Sequence, residues 1–339
     1  MIEEIEDKKS WNDILSKVDS YDFYHTYDYH QLSKQPNEKF LLLVYQTDIA
    51  LIAIPVVLRP IEGTDYFDIT SVYGYPGPVS KNITGDFDNQ LFVLELNKYF
   101  LNHNVVSVFS RLNPYINHQK EILKNMGKCV DLSSVVFINL TNNLDTQRSG
   151  YQKRIKTQIN KARRLCDIVK ATKKEDIDAF IDIYYENMNR VNADDYYYFD
   201  KDYFYNFLNS DNFETDLLLA ITKETNEIIA GVIFVKTNHI VQYHLAGSKS
   251  DFLNITPIKI LIDEMRIIAT EEGFKYLNLG GGLGSKEDSL LRFKISFSKE
   301  LKTFSVWKYI VDHETYNMLT SGLNPKSTDY FPAYRRKLA

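Results

Sequence analysis

Two stretches of the 339-residue sequence share one pattern: FLLLVYQTDIALIAIPVVLR at 40–59 and TDLLLAITKETNEIIAGVIFVK at 215–236. Each sets two apolar runs around a short polar turn, which is the signature of an antiparallel hairpin. The first pairs 40–45 with 49–58 about Gln46-Thr47-Asp48, and the second pairs 216–222 with 228–236 about Glu224-Thr225-Asn226. The elements after each hairpin repeat as well: a strand at 66–72 or 239–246, a helix at 88–104 or 256–273, and a strand at 105–112 or 274–279. The helix is a crossover of the length a parallel pair requires, so each unit is a mixed β-sheet flanked by helices. The fold class is α/β (α+β), and the length suits two domains. The expected division is 1–145 and 146–312. The segment 313–339 has no counterpart in the first half and is expected to pack back on domain one.

Local signals refine this reading. Ser10 and Asp13 read as a capping box for a helix at 10–18 that buries Trp11, Ile14, Leu15 and Val18. Asp88 reads as the N-cap of a helix with Leu91, Leu94, Tyr99 and Leu101 along it, and Thr256 as the N-cap of one that starts with Pro257. One helix, 146–165, joins the halves.

Several function classes are excluded. Apolar residues make up 44% and charged residues 25%, and no run approaches the roughly 20 apolar residues of a membrane span. The start, MIEEIEDKKSWND, lacks the basic and then apolar order of a secretory signal, and Cys129 and Cys166 have no metal-ligand spacing. A cytoplasmic protein without a metal is expected. A net charge of −5 argues against a general DNA binder. The 24 Tyr and 20 Phe suit sugar binding, but Ile, Lys and Asn are abundant beside them, as an AT-rich genome also produces, so composition does not assign a sugar.

The segment HIVQYHLAGSKSDFLNIT, 239–256, runs from a strand through a polar loop into a helix. Backbone N–H groups freed at a helix N-terminus attract phosphate oxygens, so the loop is either a seat for the pyrophosphate of coenzyme A or an ordinary connection. Gly247, Ser248, Asn254, Ile255 and Thr256 are its candidate binding residues. Polar residues fall on both faces of this central strand, so Gln242, Tyr243 and His244 either line a cleft or are satisfied within the core. His244 is a candidate base titrating near neutrality, and Tyr243 a candidate donor to a departing thiolate.

Leu279-Gly280-Gly281-Gly282-Leu283-Gly284 ends a strand, where glycine allows positive φ or a close approach. In the helix after it, Leu290, Phe293 and Phe297 form the apolar stripe and Lys294 stands at its border, either solvated or reaching into a cleft. The segment 151–164 is an amphipathic basic helix without an acid, suited to diphosphate, tRNA or an anionic membrane surface, or simply solvated. By the repeat, Tyr24, His25, Tyr73, Tyr75 and Arg111 lie near strand ends and are candidate acceptor-site residues.

These residues resemble the FemABX-like branch of the GNAT acyltransferase superfamily, whose members carry two tandem GNAT domains and act on cell-envelope precursors. The likeness rests on the R-x-x-I-x-K-A-R-like segment 154–163, the triple-glycine loop followed by Leu291-Arg292-Phe293-Lys294-x-x-Phe297, and the tail Phe331-Pro332-Ala333-Tyr334-Arg335. The resemblance implies that Lys294 lies in the active-site channel and stabilises developing negative charge. Relatives that add amino acids to a peptidoglycan bridge commonly insert a long antiparallel helical arm, and nothing here resembles it. The YGYPGP and FPAYR segments look more like armless relatives that acylate amino sugars on nucleotide carriers.

The resulting expectation is an acyl-coenzyme A-dependent N-acyltransferase acting on a nucleotide-linked amino sugar, with backbone donors on a splayed second-domain strand holding the oxyanion. An aminoacyl-tRNA-dependent FemX-like transferase acting on a peptidoglycan precursor is the alternative, and a non-catalytic scaffold a second one.

Overall fold

The computed structural model describes residues 1–285, 287–322 and 330–336. It divides the chain into two units, residues 1–132 with 303–339 and residues 133–302. Both divisions lie earlier in the chain than the expected 145/146 and 312/313, because they fall inside strands, where no turn residues mark them in the sequence.

The first unit opens with β1 (Ile2–Ile5), α1 (Lys8–Leu15) and α2 (Tyr27–Ser33). The hairpin is β2 (Lys39–Gln46) with β3 (Leu51–Pro60), followed by β4 (Phe67–Thr70), β5 (Val79–Lys81), α3 (Gln90–Asn102), β6 (Val105–Arg111) and α4 (Gln119–Ile122). The strand β7 (Lys128–Asn139) carries the chain into the second unit, through α5 (Leu144–Ser149), α6 (Lys153–Leu165), β8 (Cys166–Lys170), α7 (Lys174–Val191) and α8 (Lys201–Leu208). The second hairpin is β9 (Glu214–Thr222) with β10 (Ile228–Thr237), followed by β11 (Ile240–Ser248), α9 (Ile258–Glu271), β12 (Tyr276–Gly280) and α10 (Ser289–Ile295). The chain returns through β13 (Leu301–Ile310) and α11 (His313–Thr320).

The first unit's strands run in the order β1-β2-β3-β4-β6-β13, with β5 also on β3, and the second's in the order β8-β9-β10-β11-β12-β7. β4 and β6 are parallel, as are β11 and β12, while the other neighbours within each unit are antiparallel. The two orders therefore agree strand for strand. The closing strands are exchanged: β7 follows β6 in the chain but closes on β12, and β13 follows β12 but closes on β6. Each unit has its own apolar core, the first around Trp307, Phe92 and Phe100, the second around Phe234, Met265 and Phe297. Among the described residues no helix is long and apolar enough to cross a membrane.

Several local expectations are corrected. Asp7, not Ser10, caps α1, and Ser10 donates its backbone N–H to the Asp7 carboxylate at 2.9 Å. Helix α3 starts after Asn89, and it buries Phe92, Leu96, Tyr99 and Phe100 while Leu91, Leu94 and Leu101 are exposed. The spacing Phe92, Leu96, Phe100 runs down one face and wins, since aromatic rings bury more apolar area than the competing leucines. The junction at 146–165 is two helices, because Gln152 is extended and Tyr151 turns into the core. Tail residues 323–329 and 337–339 lie outside the described residues. The described tail is anchored on the first unit: Arg335 donates to the buried Asp68 carboxylate at 2.7 Å, and Tyr334 and Ser107 share a hydrogen bond at 2.7 Å.

Candidate functional site

The second unit opens along its parallel strand pair. β11 and β12 stay paired for three positions, Ile240 with Tyr276, Val241 with Leu277 and Gln242 with Asn278. Asn278 Nδ2 donates to Gln242 Oε1 at 2.7 Å and closes that end. Beyond it β11 continues to Ser248 with a strand partner on its β10 side alone among the described residues, where a bulge at Ile233/Phe234 adds curvature. Tyr243, His244, Leu245 and Ala246 are all partly exposed, though they belong to a central strand. A splayed pair of this kind presents unbonded backbone N–H groups to whatever enters.

α10 touches both arms of the opening. Lys294 Nζ donates to the Gly281 carbonyl at 2.6 Å, just past the end of β12, and Phe293 joins a groove at the far end of β11. Lys294 is buried, on the packed face of α10 rather than at its border, and Leu291 takes the place expected of Leu290, which is exposed. Burial pulls the Lys294 ammonium down to about 8, opposed by the charge of Asp288. Gly280 has φ +78°, and a Cβ there would stand 3.2 Å from Lys294 Nζ, so the glycine both permits the turn and leaves room for the ammonium.

His244 stacks face to face on Phe207, centroids 4.7 Å apart and planes 9° apart, with its Nε2 buried. Burial lowers its pKa to about 3, so the imidazole is neutral near pH 7 and does not titrate near neutrality as expected. Burial raises the pKa of Tyr243, whose phenol keeps its proton.

The groove at the end of β11 is lined by Ser248, Leu253, Thr256, Ile258, Lys259 and Phe293. Gly247 and Ser248 belong to the strand, paired with Gly231 and Ala230, rather than to the loop. A Cβ on Gly247 would meet Ile183 O and Tyr184 Cα at 3.0 Å, so this glycine lets α7 lie against the strand. Arg190, near the end of α7, donates to Ser248 O at 2.9 Å. Residues Ser250–Ile255 form a 3₁₀ turn in which Asn254 is exposed and Ile255 half-buried; Leu253 lines the groove in their stead. Thr256 does not cap α9: it has φ +57°, a strained conformation for a β-branched residue, and its Oγ1 is buried without a partner among the described residues. No side chain among the described residues caps α9; its first-turn N–H groups turn inward instead, Lys259 N donating to Thr256 O at 3.1 Å and Ile260 N to Pro257 O at 3.2 Å.

The first-unit candidates separate into two groups. His25 is fully buried, its Nδ1 accepts from Asp22 N at 3.0 Å, and burial lowers its pKa to about 4; Tyr24 packs in the same aromatic core against Phe23 and Tyr29. Neither faces solvent, because both belong to a tight turn packed under Trp11 and Tyr75, so their reading as acceptor contacts is corrected. Tyr73 is exposed, and the half-buried Arg111 guanidinium lies 5.9 Å from its ring centroid and 5.7 Å from that of Phe109. Tyr75 is half-buried against Phe304, and burial raises its pKa.

Sequence reasoning missed Lys259. A cation in the first turn of a helix opposes the helix dipole, and that misfit was the available signal.

Residues 149–294 match the family described as "Acetyltransferase (GNAT) domain". The fold is similar to the crystal structure of FemX, with a TM-score of 0.71 at 12% identity over 93% of this chain and 99% of that one. It is also similar to a conserved protein of unknown function from Bacteroides thetaiotaomicron VPI-5482, with a TM-score of 0.59 at 12% identity over 91% of this chain and 100% of that one. No curated protein matches the sequence.

Proposed function

Since the chain is an acyltransferase that carries a GNAT acetyltransferase domain over 149–294 on a FemX-like fold, we propose that it moves an acyl group from acyl-coenzyme A to the amino group of a nucleotide-linked amino sugar. The observation that carries this reading is the splay of β11 from β12 after three paired positions, with Lys294 at one arm and the groove at the other. The groove fits a phosphate-bearing carrier: α9 is uncapped, Ser248 and Thr256 bring hydroxyls, and Lys259 brings a cation.

The thioester supplies an activated carbonyl when bound. The acceptor amine attacks it, forming the C–N bond, and the C–S bond breaks as the tetrahedral oxyanion collapses. Backbone N–H groups on the open edge of β11 hold that oxyanion, and the Lys294 ammonium, mostly charged at pH 7, stabilises the negative charge as it grows. Tyr243 retains the proton that a departing thiolate needs. The amine's proton leaves to solvent, because His244 takes none near neutrality. Within the first unit, Tyr73, Tyr75 and Arg111 are proposed as contacts for a sugar carrier, Arg111 for a diphosphate and the tyrosines for rings.

A second reading, an aminoacyl-tRNA-dependent transferase acting on a peptidoglycan precursor, is favoured by the similarity to FemX and by the exposed cations of α6. One experiment separates the two. The purified protein is incubated with acyl-coenzyme A and, separately, with charged tRNA, each beside nucleotide amino sugars, and products are identified by mass. An acylated nucleotide sugar formed only from the coenzyme supports the first reading; product only from tRNA replaces it with the second.

A further inference from the structure

Within the second unit, the parallel pair β11 and β12 carries amides where the preceding positions carry apolar side chains. Val241 pairs with Leu277 in the core, but the next position pairs Gln242 with Asn278, which are 2% and 1% exposed. Partners in a parallel register project to the same face, so the two side chains meet, and Asn278 Nδ2 donates to Gln242 Oε1 at 2.7 Å. Two apolar residues would fill this place without the cost of taking amides out of water, so packing alone does not call for Gln and Asn here. The ladder between the strands stops at this pair.

Asn278 bonds in two directions. Its Oδ1 accepts from Gly280 N at 3.1 Å, two residues on in its own strand, which is an Asx turn. The register of β12 against β7 breaks between Asn278 and Gly280, and Gly280 takes φ +78°. The next residue, Gly281, offers the carbonyl to which Lys294 Nζ donates at 2.6 Å. A chain of contacts therefore runs from β11 through the two amides and the Gly280 turn to the ammonium. The charged group that acts on Lys294 is Asp288, whose carboxylate caps α10 by accepting from Leu291 N.

We propose that Gln242 and Asn278 are positioning residues for the acyl transfer: their amide pair pins the point where β11 and β12 part, and the Asx turn of Asn278 sets Gly280 and Gly281 so that Lys294 Nζ is held at the opening. This rests on the reading of the opening as the site of the reaction, and it adds which side chains fix its depth. A parallel ladder extends as far as its strands stay within reach of each other, and the Asx turn gives it a fixed end. Neither amide touches substrate; both act through Lys294.

The test uses Gln242→Met and Asn278→Leu, one on each strand, which keep apolar bulk and lose the hydrogen bonds. The Lys294 amine is titrated by NMR in protein carrying carbon-labelled lysine, its signal assigned by its loss in Lys294→Met. In the wild type it should titrate near 8, where burial holds it, and in either variant it should move up toward 10.5 as the ammonium leaves its seat. With acyl-coenzyme A and a nucleotide amino sugar, kcat should fall about 10- to 100-fold with KM changed by no more than about threefold, and the alkaline limb of kcat should move up with the titration. Asn278→Leu/Lys294→Met should be no slower than Lys294→Met alone, because a residue that acts through another adds nothing once that other is gone. A Lys294 titration unchanged in both variants overturns the pair whatever the activity. Variants that only melt at a lower temperature, with kcat and its pH profile as in the wild type, overturn it too. If one variant does not fold, the other carries the test, and if neither folds, the pair is a stability element and the proposal falls. If the titration moves but the wild type makes no product from acyl-coenzyme A, the placement of Lys294 by the pair stands and the acyl-coenzyme A reading falls.

Discussion

The two units share one strand order, apart from the extra β5 of the first, and part company at the end of the parallel pair. In the second, β11 leaves β12 after Gln242, partly exposed residues follow, and the chain enters an uncapped helix beside a groove. In the first, β4 leaves β6 after Ile69, and the segment beyond is packed with aromatic rings: Tyr75 against Tyr24 and Phe304, with Asn113 donating to Tyr75 O at 2.9 Å and to the Asp22 carboxylate at 3.0 Å. The two crossover helices also start differently: Asp88 accepts from Gln90 N at 3.0 Å at the head of α3, whereas no side chain among the described residues caps α9. One copy of the fold keeps its opening, and the other fills it. Duplication supplies two mouths, and side-chain volume decides which remains one.

The sharpest way to break that comparison is acid. His25 and His30 are fully buried in the first unit, and burial lowers each to about 4 from 6.5; in the second, burial lowers His244 to about 3. Between those values the unfolded chain binds more protons than the folded one, so this stability is fully present above pH 6.5 and is lost as pH falls toward 4. Each histidine is worth on the order of 3 kcal/mol, and the first unit sets two such residues against one. Trp11 and Trp307, the chain's two tryptophans, both lie in the first unit. Their fluorescence should report unfolding at a higher pH than hydrogen exchange reports for β10 and β11, and His30→Phe should lower that midpoint. Coincident transitions in both units would remove the distinction.

Next in size is Lys294→Met. Loss of a charge that acts on the transition state should reduce kcat on the order of 10²-fold with a smaller change in KM. In the wild type kcat should fall as pH rises through about 8, where the ammonium loses its proton, and that limb should vanish in the variant. A raised KM with kcat intact would mean that Lys294 grips substrate instead.

Smaller effects belong to the first unit. Arg335→Ala leaves the buried Asp68 with Arg59 as its remaining ion-pair partner among the described residues and should cost about 2 kcal/mol in urea unfolding followed by tryptophan fluorescence. Arg111→Gln should leave stability within about 0.5 kcal/mol and raise the acceptor KM about tenfold, since this guanidinium lies beside Tyr73 and Phe109 at a half-buried position. An unchanged acceptor KM would move the acceptor away from these residues.

The sequence alone determined the hairpins, the crossover helices and the duplication, because period-two and helical apolar spacing act between neighbours in the chain. It also singled out Lys294 and the segment 247–257 as unusual. Long-range packing was beyond its reach. Only the tertiary structure decided that β7 closes on β12 and β13 on β6, since strand pairing at such separations depends on which edges meet. Only burial decided that His244 and His25 are held far below neutrality, because a pKa is set by what surrounds a ring and not by its place in the chain. Asp263 likewise ties α9 to α5 and α6 through arginines at least 100 residues away in sequence, Arg148 and Arg163, and Lys259 of α9 donates to Gln158 of α6 at 2.6 Å.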